Sequence, residues 1–428
     1  MSVEVQNITT DGGILKFTLQ NINVSLANAL RRCILSDIPV VVMKASPYKS
    51  KTIDILVNKS RFTNEMIEHR ISCIPVILDV DSELNYKNYK IQIHEKNTTN
   101  TIMHVTTQSI EIVDQQSDTS VSKKIVEKLF PKNDITQDYI EIIRLRPQTS
   151  IKQAEEIKLS ATFDISTAKN NAVYNATSIC SYGKTINEEL ADIERLKLQK
   201  QLSSQALSQE LIQEKLSDFD NLTKQRITID DSFDFIIETI GQYTNEQLVA
   251  KACTILINNL KQLFTELNDN PDLITESNTT LDNGYDIKLI KQDYTLGKIL
   301  EYILYKTYYG IKKTDRLHFC GFRKPHPHID ESIIRLGFRK PVEKLDIIRM
   351  FQEAVNILNT IYSDLATEFA TSSVIETTSS SSKTSDSANL VSTSTDSVKD
   401  EPSQSAPAEP AEPILVSTDL PELTELSK

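Results

Sequence analysis

Four potential metal ligands lie close together in the sequence; they are His318, Cys320, His326 and His328. A His-x-Cys pair on a strand would put both side chains on one face, and the His-x-His pair could complete a tetrahedral zinc site. The spacing matches no common zinc module, and the two prolines that alternate with the last histidines indicate a rigid turn. We therefore predict that the turn binds no metal and that its imidazole rings hydrogen-bond locally. A zinc-dependent enzyme built on this turn is the alternative.

Other catalytic motifs are absent from the sequence, which has no glycine-rich phosphate loop, no Gly-x-Ser-x-Gly and no His-Glu-x-x-His. The run DVDSEL, with Asp79 and Asp81, lacks the further aspartate expected of a catalytic Mg²⁺ site. We interpret it as an acidic pair at the edge of a strand. The sequence therefore predicts no catalytic residue and no cofactor, and so a chain that is not an enzyme by itself.

Charge is distributed unevenly along the 428 residues, which carry a net −12. Residues 371–428 hold ten acidic and three basic side chains, a net −7, which leaves −5 for the rest. Such a body lacks a large basic footprint, so we expect no direct sequence-specific contact with nucleic acid. No window is apolar enough to span a bilayer, the N-terminus lacks a secretory pattern, and five cysteines are scattered. We therefore expect an intracellular chain with reduced thiols and no membrane contact.

The elements that would position functional residues begin with a strand and a helix. GILKFTL alternates apolar and polar residues, which predicts a half-buried strand. Ser25 is placed to cap the following helix by accepting a hydrogen bond from a free backbone N–H. The apolar face of that helix is expected to contain Leu26, Leu30 and Ile34. IPVVVMK then predicts another strand.

Residues 46–167 are predicted to form a β-rich domain, with a short helix at SVSKKIVEKLF. Turn-type residues separate the apolar runs, as strands require. The predicted strands are TIDILV, CIPVILDV, YKIQIHE, TIMHVTT, SIEIV, IEIIRLR and IKLSATFDI.

Two helical regions follow the β-rich segment. Thr185 and Glu188 fit a capping box that would open a long exposed helix or helical hairpin over about 185–226. Thr244 and Gln247 fit a second capping box, which opens a strongly amphipathic helix. The apolar face of this second helix includes Leu256, Leu260 and Leu263.

The strand-then-helix pattern restarts after a linker at 271–280. GYDIKLI predicts a strand, and Thr295 is placed to cap the next helix. RLHFCGF and SIIRLGFR then predict two strands, and a long amphipathic helix ends the globular part. The apolar faces of these two helices include Leu296, Leu300, Ile303, Phe351, Val355 and Leu358. From Thr371 the chain is rich in Ser, Thr, Pro and acidic residues and lacks aromatics, which predicts disorder.

Both ends of the globular part therefore share one order of elements, which indicates an internal repeat. Each copy has apolar helices but little sheet to cover them, so two copies packed face to face would bury four helices in one core. We predict an α+β fold in which two such modules pair within one chain, the first carrying an inserted β-rich domain. The predicted boundaries are 1–45 with 168–270, 46–167, 281–370 and a tail at 371–428.

At LANALRRCILSDIPVVVMK the sequence resembles the α-like subunits of multisubunit DNA-dependent RNA polymerases. In eukaryotes these are the third-largest subunit and its smaller eleventh-subunit partner, and in bacteria the two α chains. The larger partner carries a Leu-Ala-Asn-Ala-Leu-Arg-Arg helix, matched by residues 26–32, and an Asn-Glu-x-x-x-His-Arg-x-x-x-x-Pro stretch. The second stretch is matched by Asn64, Glu65, His69, Arg70 and Pro75.

The smaller partner is matched in the second half of the chain. QDYTLGKILEYIL resembles its Asp-x-Thr-Leu-Gly-Asn motif, with Lys298 in place of the asparagine. FCGFRKPHP resembles its Gly-Tyr-x-x-Pro-His-Pro turn. The two partners, normally separate proteins, are fused here, and such fusions are familiar in large DNA viruses. The cysteine cluster that binds zinc in some larger partners is absent, and the stretch at about 185–226 is an addition to the family pattern.

The resemblance implies a non-catalytic assembly platform that docks the largest and second-largest polymerase subunits and small polymerase subunits. It would lie in the host cytoplasm and virion if viral, or in the nucleus if cellular. The residues implied to contact partners are Asn28, Arg31, Arg32, Asn64, Glu65, His69 and Arg70. An ordinary solvated basic face is the alternative for the two arginines of the first helix. A helical scaffold or adaptor unrelated to transcription is the alternative for the whole chain.

Overall fold

The computed structural model describes residues 3–82, 86–149, 153–205, 208–310 and 316–381, with side chains described as far as 370. It is a mixed α+β fold, as predicted. None of the helices in these ranges is both long and apolar enough to cross a membrane. The helices are α1 Val24–Ser36, α2 Asn64–Ser72, α3 Lys123–Leu129, α4 Glu188–Ser203, α5 Gln209–Asp218, α6 Asn245–Asp269, α7 Tyr294–Tyr308 and α8 Lys344–Ser381.

The strands of the N-terminal and β-rich parts are β1 Glu4–Asp11, β2 Ile14–Gln20, β3 Val40–Val42, β4 Ile53–Asn58, β5 Tyr89–Lys96, β6 Met103–Thr106, β7 Glu111–Asp114, β8 Thr119–Ser120, β9 Glu141–Leu145, β10 Glu156–Thr162 and β11 Asp164–Ser166. The remaining strands are β12 Thr177–Ile186, β13 Thr228–Thr239, β14 Ile274–Glu276, β15 Gly284–Ile290, β16 Leu317–Arg323 and β17 Glu331–Phe338.

A first antiparallel sheet has the strand order β1-β2-β13-β12. The predicted alternation of GILKFTL is confirmed, because Leu15, Phe17 and Leu19 are buried. Phe17 lies opposite Phe235 of β13, and their rings stack with centroids 5.1 Å apart. The inward face of this sheet thus presents a continuous apolar surface to the helices.

The β-rich part is built on the five-stranded sheet β4-β10-β5-β7-β8, with the smaller pairs β6-β9 and β3-β11. It has its own hydrophobic cluster, which includes Ile91, Ile143 and Leu159. The strand predicted at CIPVILDV is wrong, because α2 runs through Ser72 and the residues after it are in turns and irregular structure. Ile74, Val76 and Leu78 of that run are nevertheless buried, which explains why its apolar pattern imitated a strand.

A second antiparallel sheet has the order β14-β15-β17-β16, and α7 contacts both β16 and β17. Helices α1, α6, α7 and α8 contribute to one continuous hydrophobic cluster with the inward faces of both four-stranded sheets. Every side chain predicted for the helical core is at most 3% exposed; these residues are Leu26, Leu30, Ile34, Leu256, Leu260, Leu263, Leu296, Leu300, Ile303, Phe351, Val355 and Leu358.

Helix α8 reaches the elements of the N-terminal part directly. The Tyr362 hydroxyl donates a hydrogen bond of 3.3 Å to the Leu26 carbonyl of α1, and the Phe369 ring packs edge-on against Phe17 at 4.8 Å. Helix α1 in turn contacts α6 and α7. The last helix is therefore held by the first helix and the first sheet.

The helix starts differ from three of the predicted caps. Asn23, not Ser25, caps α1, and Asp293, not Thr295, caps α7. In both helices the capping side chain accepts from the backbone N–H of the hydroxyl residue two positions later, at 2.9 and 2.8 Å. The sequence interpretation placed both caps two residues late; Asp is a stronger cap than Thr in α7, whereas Asn and Ser are about equal in α1.

The two predicted capping boxes have opposite outcomes. The Thr185–Glu188 box is wrong, because Thr185 lies in β12 and Asn187 caps α4. The box of α6 is confirmed, with Thr244 and Gln247 exchanging hydrogen bonds at 3.2 and 3.0 Å.

The added stretch at about 185–226 forms the two contacting helices α4 and α5. Helix α8 continues to Ser381, past the tail boundary predicted at Thr371. The remainder of the predicted tail, 382–428, lies outside the described residues.

Candidate protein-interaction surface

Arg32 joins α1 to the start of α7. Its Nη2 lies 2.7 Å from Asp293 Oδ2, and its Nε donates to Thr295 Oγ1 at 2.9 Å. The same Asp293 caps α7 through its other oxygen. Arg32 therefore uses part of its guanidinium within the chain, and its contact with a partner stays a prediction.

The electrostatics of this contact favour the ionised form of Asp293. Partial burial raises the pKa of its carboxyl, but hydrogen bonds from Thr295 and the charge of Arg32 outweigh burial and hold the pKa below its usual value. Both side chains of the ion pair are more than one-third exposed, so solvent screening limits the pair itself to under about 1 kcal/mol.

We expect Asp293→Ala to lower the free energy of unfolding by about 1–2 kcal/mol, because it removes the cap of α7 as well as the ion pair. Asp293→Asn is the matched control, since asparagine also caps helices and only the charge is lost. Urea denaturation at pH 7 should show a smaller loss for asparagine than for alanine. Equal losses in the two variants would mean that the cap contributes nothing.

The pH dependence follows from the lowered pKa of Asp293. A carboxyl with a depressed folded-state pKa contributes stability above its unfolded pKa of about 3.9, and this contribution is lost as the pH falls through the folded pKa. The stability difference between the wild type and Asp293→Asn should therefore shrink on acidification below about pH 4. A difference that stays constant would exclude a contribution from the charge.

Arg31 occupies a different side of α1 from Arg32. Its Nε and Nη2 both donate to Asn28 Oδ1, at 3.1 and 3.0 Å. Both side chains are half-buried, and among the described residues no carboxylate pairs with Arg31. Asn28 thus holds the Arg31 guanidinium in place, and no carboxylate in the described ranges neutralises its charge.

Helix α2 holds the second group of predicted partner residues. Thr63 caps the helix, and Asn64 accepts a hydrogen bond of 2.8 Å from the Asn58 side chain. Asn64, Glu65 and His69 are all exposed. Hydrogen bonds at the helix start, chiefly from its own backbone N–H and from Thr63, lower the pKa of the Glu65 carboxyl. Helix α2 therefore presents polar groups to solvent in both its first and its last turn.

Arg70, in contrast, anchors α2 to the neighbouring strand. Its Nε donates to the Ile142 carbonyl at 2.7 Å, and its Nη2 donates to the Glu141 carbonyl at 3.0 Å. Its guanidinium also lies over the Phe62 ring, 5.7 Å from the centroid. Arg70 thus has a structural role in holding α2 on β9, while part of its charged group stays exposed.

Sequence reasoning missed a contact between α6 and the loop after α2. Lys251 Nζ lies 3.1 Å from Asp79 Oδ1 and 2.7 Å from Asp81 Oδ2, and it sits over the Tyr243 ring. Burial lowers the pKa of the Lys251 ammonium, but the two carboxylates outweigh it and raise the pKa. The Tyr243 hydroxyl donates to the Pro39 carbonyl at 2.7 Å. The DVD run at Asp79 and Asp81 could have indicated an ion pair, but its partner, Lys251, is remote in sequence.

The histidine turn does not assemble a metal site in the structure. The Cys320 thiol donates to the Glu301 carbonyl of α7, and burial raises its pKa to about 12. The His326 ring accepts a local hydrogen bond of 3.1 Å from the His328 backbone. Within the described ranges no group of three or more His, Cys, Asp or Glu is placed to hold a metal ion.

Comparison with known proteins shows the family to which this chain is similar. The family model described as the RNA polymerase Rpb3/Rpb11 dimerisation domain matches residues 16–260, more than half of the chain. DNA-directed RNA polymerase subunit Rpo3 of Pyrococcus furiosus is 34% identical over 79 residues, which cover 18% of this chain and 28% of the relative.

Two further relatives match this chain over 194 and 74 residues. Rpo3 of Methanobrevibacter smithii is 22% identical over 194 residues, which cover 44% of this chain and 62% of the relative. A protein of Caenorhabditis briggsae named as the probable RNA polymerases I and III subunit RPAC2 is 26% identical over 74 residues, which cover 17% of this chain and 46% of the relative. The chain thus matches less than two-thirds of each of these three relatives.

Proposed function

Because the chain belongs to the RNA polymerase Rpb3/Rpb11 dimerisation-domain family, we propose that it is a non-catalytic assembly subunit of a DNA-directed RNA polymerase. In this proposal it pairs two α-like modules within one polypeptide and docks the largest and second-largest subunits, together with small polymerase subunits. The single observation that carries the proposal is the shared core of α1, α6, α7 and α8 between two four-stranded sheets.

Several features support pairing within one chain. The two halves begin their short helices with the same arrangement, an Asx cap followed two residues later by a hydroxyl residue and then leucine. The relatives carry the names of two different polymerase subunits, Rpo3 and RPAC2. Fusion would raise the effective concentration of one module around the other to about millimolar, so pairing no longer depends on the concentration of a separate partner.

We propose the Asn28–Arg31 pair and the exposed polar side chains of α2 as docking surfaces for a large subunit. The guanidinium of Arg31 is held in place by Asn28 and lacks an acidic partner among the described residues. A planar guanidinium with free N–H groups suits bidentate pairing with a carboxylate of another protein. Asn64, Glu65 and His69 would add hydrogen bonds from the β-rich part.

Arg31→Glu is expected to weaken co-purification with the second-largest polymerase subunit by about tenfold or more, because like charges placed together at an interface cost several kcal/mol. Its own unfolding midpoint should change little, since the lost bonds are local to α1. Arg226→Glu, a charge reversal at an exposed position outside α1 and α2, is the control and should leave co-purification unchanged. Unchanged co-purification of Arg31→Glu would remove this arginine from the docking surface.

A stable chain that never co-purifies with the second-largest subunit would reject the proposal as a whole. Deletion of residues 382–428 separates it from the adaptor alternative: a platform subunit should keep its main partners, whereas an adaptor working through an acidic tail should lose them.

We further propose a viral source, with the host cytoplasm and virion as its location. Neighbouring reading frames that encode large polymerase subunits in a viral genome would support this, and a cellular genome would point to the nucleus.

A further inference from the structure

An arginine-rich groove of about 720 Å³ lies on the β-rich part, where the residues just before α2 and the last turn of α2 face β9. Its charged lining comprises four arginines and one glutamate, and its apolar lining comprises one aromatic and three smaller side chains. The lining residues are Arg61, Phe62, Arg70, Ile102, Glu141, Ile143, Arg144, Arg146 and Pro147. We call this set the arginine groove.

The arginines of the groove are only partly neutralised. Arg61 is exposed and has no hydrogen bond or ion pair within the part of the chain that the structure describes. Arg70 is bonded to two backbone carbonyls, which position its guanidinium without cancelling its charge. Arg144 bonds to Glu141 at 2.9 Å, and Arg146 bonds to the buried Glu155. Within the described ranges, the charges of Arg61 and Arg70 therefore have no carboxylate partner.

The apolar part of the groove lies between these charges. Ile102 is 57% exposed and Phe62 is half-buried, whereas Ile143 is buried beneath them. Such an apolar floor favours an occupant that brings an apolar side chain as well as negative charge. The Arg70 guanidinium over the Phe62 ring keeps both groups in fixed positions, which lowers the entropy lost on binding.

We propose that the arginine groove binds an acidic segment of a partner protein, with carboxylates on Arg61 and Arg70 and an apolar side chain between Phe62 and Ile102. A nucleic-acid strand fits less well, because a phosphate track needs a continuous basic surface. Glu141 interrupts this groove, and the chain as a whole carries −12. The inference is independent of the proposed polymerase role, since it rests on the groove alone.

The test uses the full chain and fluorescence anisotropy. The probe is a fluorescein-labelled synthetic peptide in which glutamates alternate with leucine and phenylalanine; a second peptide replaces every glutamate by glutamine, and a labelled oligouridylate represents nucleic acid. The variants are Arg61→Ala and, as a matched control, Arg323→Ala, an exposed arginine on β16 without a partner among the described residues. Among the described residues neither arginine side chain makes a hydrogen bond or an ion pair, so we expect both variants to fold. Circular dichroism checks this.

The acidic peptide should bind the wild type, and Arg61→Ala should raise its Kd about tenfold, which corresponds to ~1.4 kcal/mol. Arg323→Ala should leave the Kd unchanged. The glutamine peptide should bind far more weakly, and added salt should weaken the binding of the acidic peptide. No binding of the acidic peptide, or an equal loss in both arginine variants, would overturn the proposal. Tighter binding of oligouridylate than of the peptide, lost in Arg61→Ala, would overturn it in favour of a nucleic-acid site.

Discussion

Phe351→Ala is expected to lower the free energy of unfolding by about 3–5 kcal/mol, the usual cost of removing a large aromatic side chain from a packed core. Phe351 is fully buried on α8, within the cluster that also includes α1, α6 and α7. Alanine would leave a cavity at the centre of this cluster. Chemical denaturation gives the measurement. Leu345→Ala on the same helix is the control, because that side chain is 54% exposed and its loss should cost little.

The same variant tests whether the helices share one core. Hydrogen exchange should show that Phe351→Ala reduces protection in α1 and α6 as well as in α7 and α8, because all four helices contribute to one cluster. The Tyr362 hydroxyl on the Leu26 carbonyl and the Phe369 ring on Phe17 are direct contacts that would carry the effect. Protection lost in α7 and α8 alone, with α1 and α6 unaffected, would contradict pairing of the two halves through a shared interior.

Gly297→Ala is expected to destabilise the chain by about 2 kcal/mol, although alanine normally favours a helix over glycine by ~1 kcal/mol. Gly297 lies in the first turns of α7, and a Cβ added there would approach the Phe322 ring of β16 to 2.1 Å. The ring is itself packed edge-on against Tyr294, with centroids 5.2 Å apart, so it cannot move without loosening a second contact. The measurement is again chemical denaturation.

Two further variants identify the cause of this effect. Gly183→Ala is the control, because a Cβ at that position would meet nothing within 4 Å, and its stability should change little. In the double variant Gly297→Ala with Phe322→Ala, the clash is gone, so the glycine substitution should cost much less than in the wild type. A cost that is the same with and without the Phe322 ring would show that close helix–strand packing is not the reason for glycine.

Local patterns in the sequence determined much of this fold. Period-two alternation placed β2 and its inward residues, and the helical apolar stripes identified the side chains that form the core. The capping box at Thr244 and Gln247 was also readable, because both its members lie within one turn. These features depend on neighbours in sequence, and the burial of an apolar face is the strongest constraint on where a helix or strand lies.

Patterns failed where two local signals competed. CIPVILDV has the composition of a strand, yet its apolar residues are buried in irregular chain after α2, since burial alone does not require a ladder of hydrogen bonds. The capping positions at Asn23 and Asp293 were available in the sequence, but the nearby hydroxyl residues gave a rival signal. The cap is the residue whose side chain can accept a hydrogen bond from a free backbone N–H of the first turn. Which residue that is depends on where the helix begins.

The surroundings of each exposed charge depend most on tertiary structure. Arg31 and Arg32 are adjacent and chemically the same, but successive helical residues point about 100° apart. One therefore meets Asn28 on its own helix, and the other meets Asp293 from a distant part of the chain. The arginine groove likewise joins α2 and the residues just before it to β9 across a long sequence separation. The sequence by itself determined which side chains are buried and which carry charge, whereas only the packing of remote elements decided which charges are neutralised and which lack an acidic partner among the described residues.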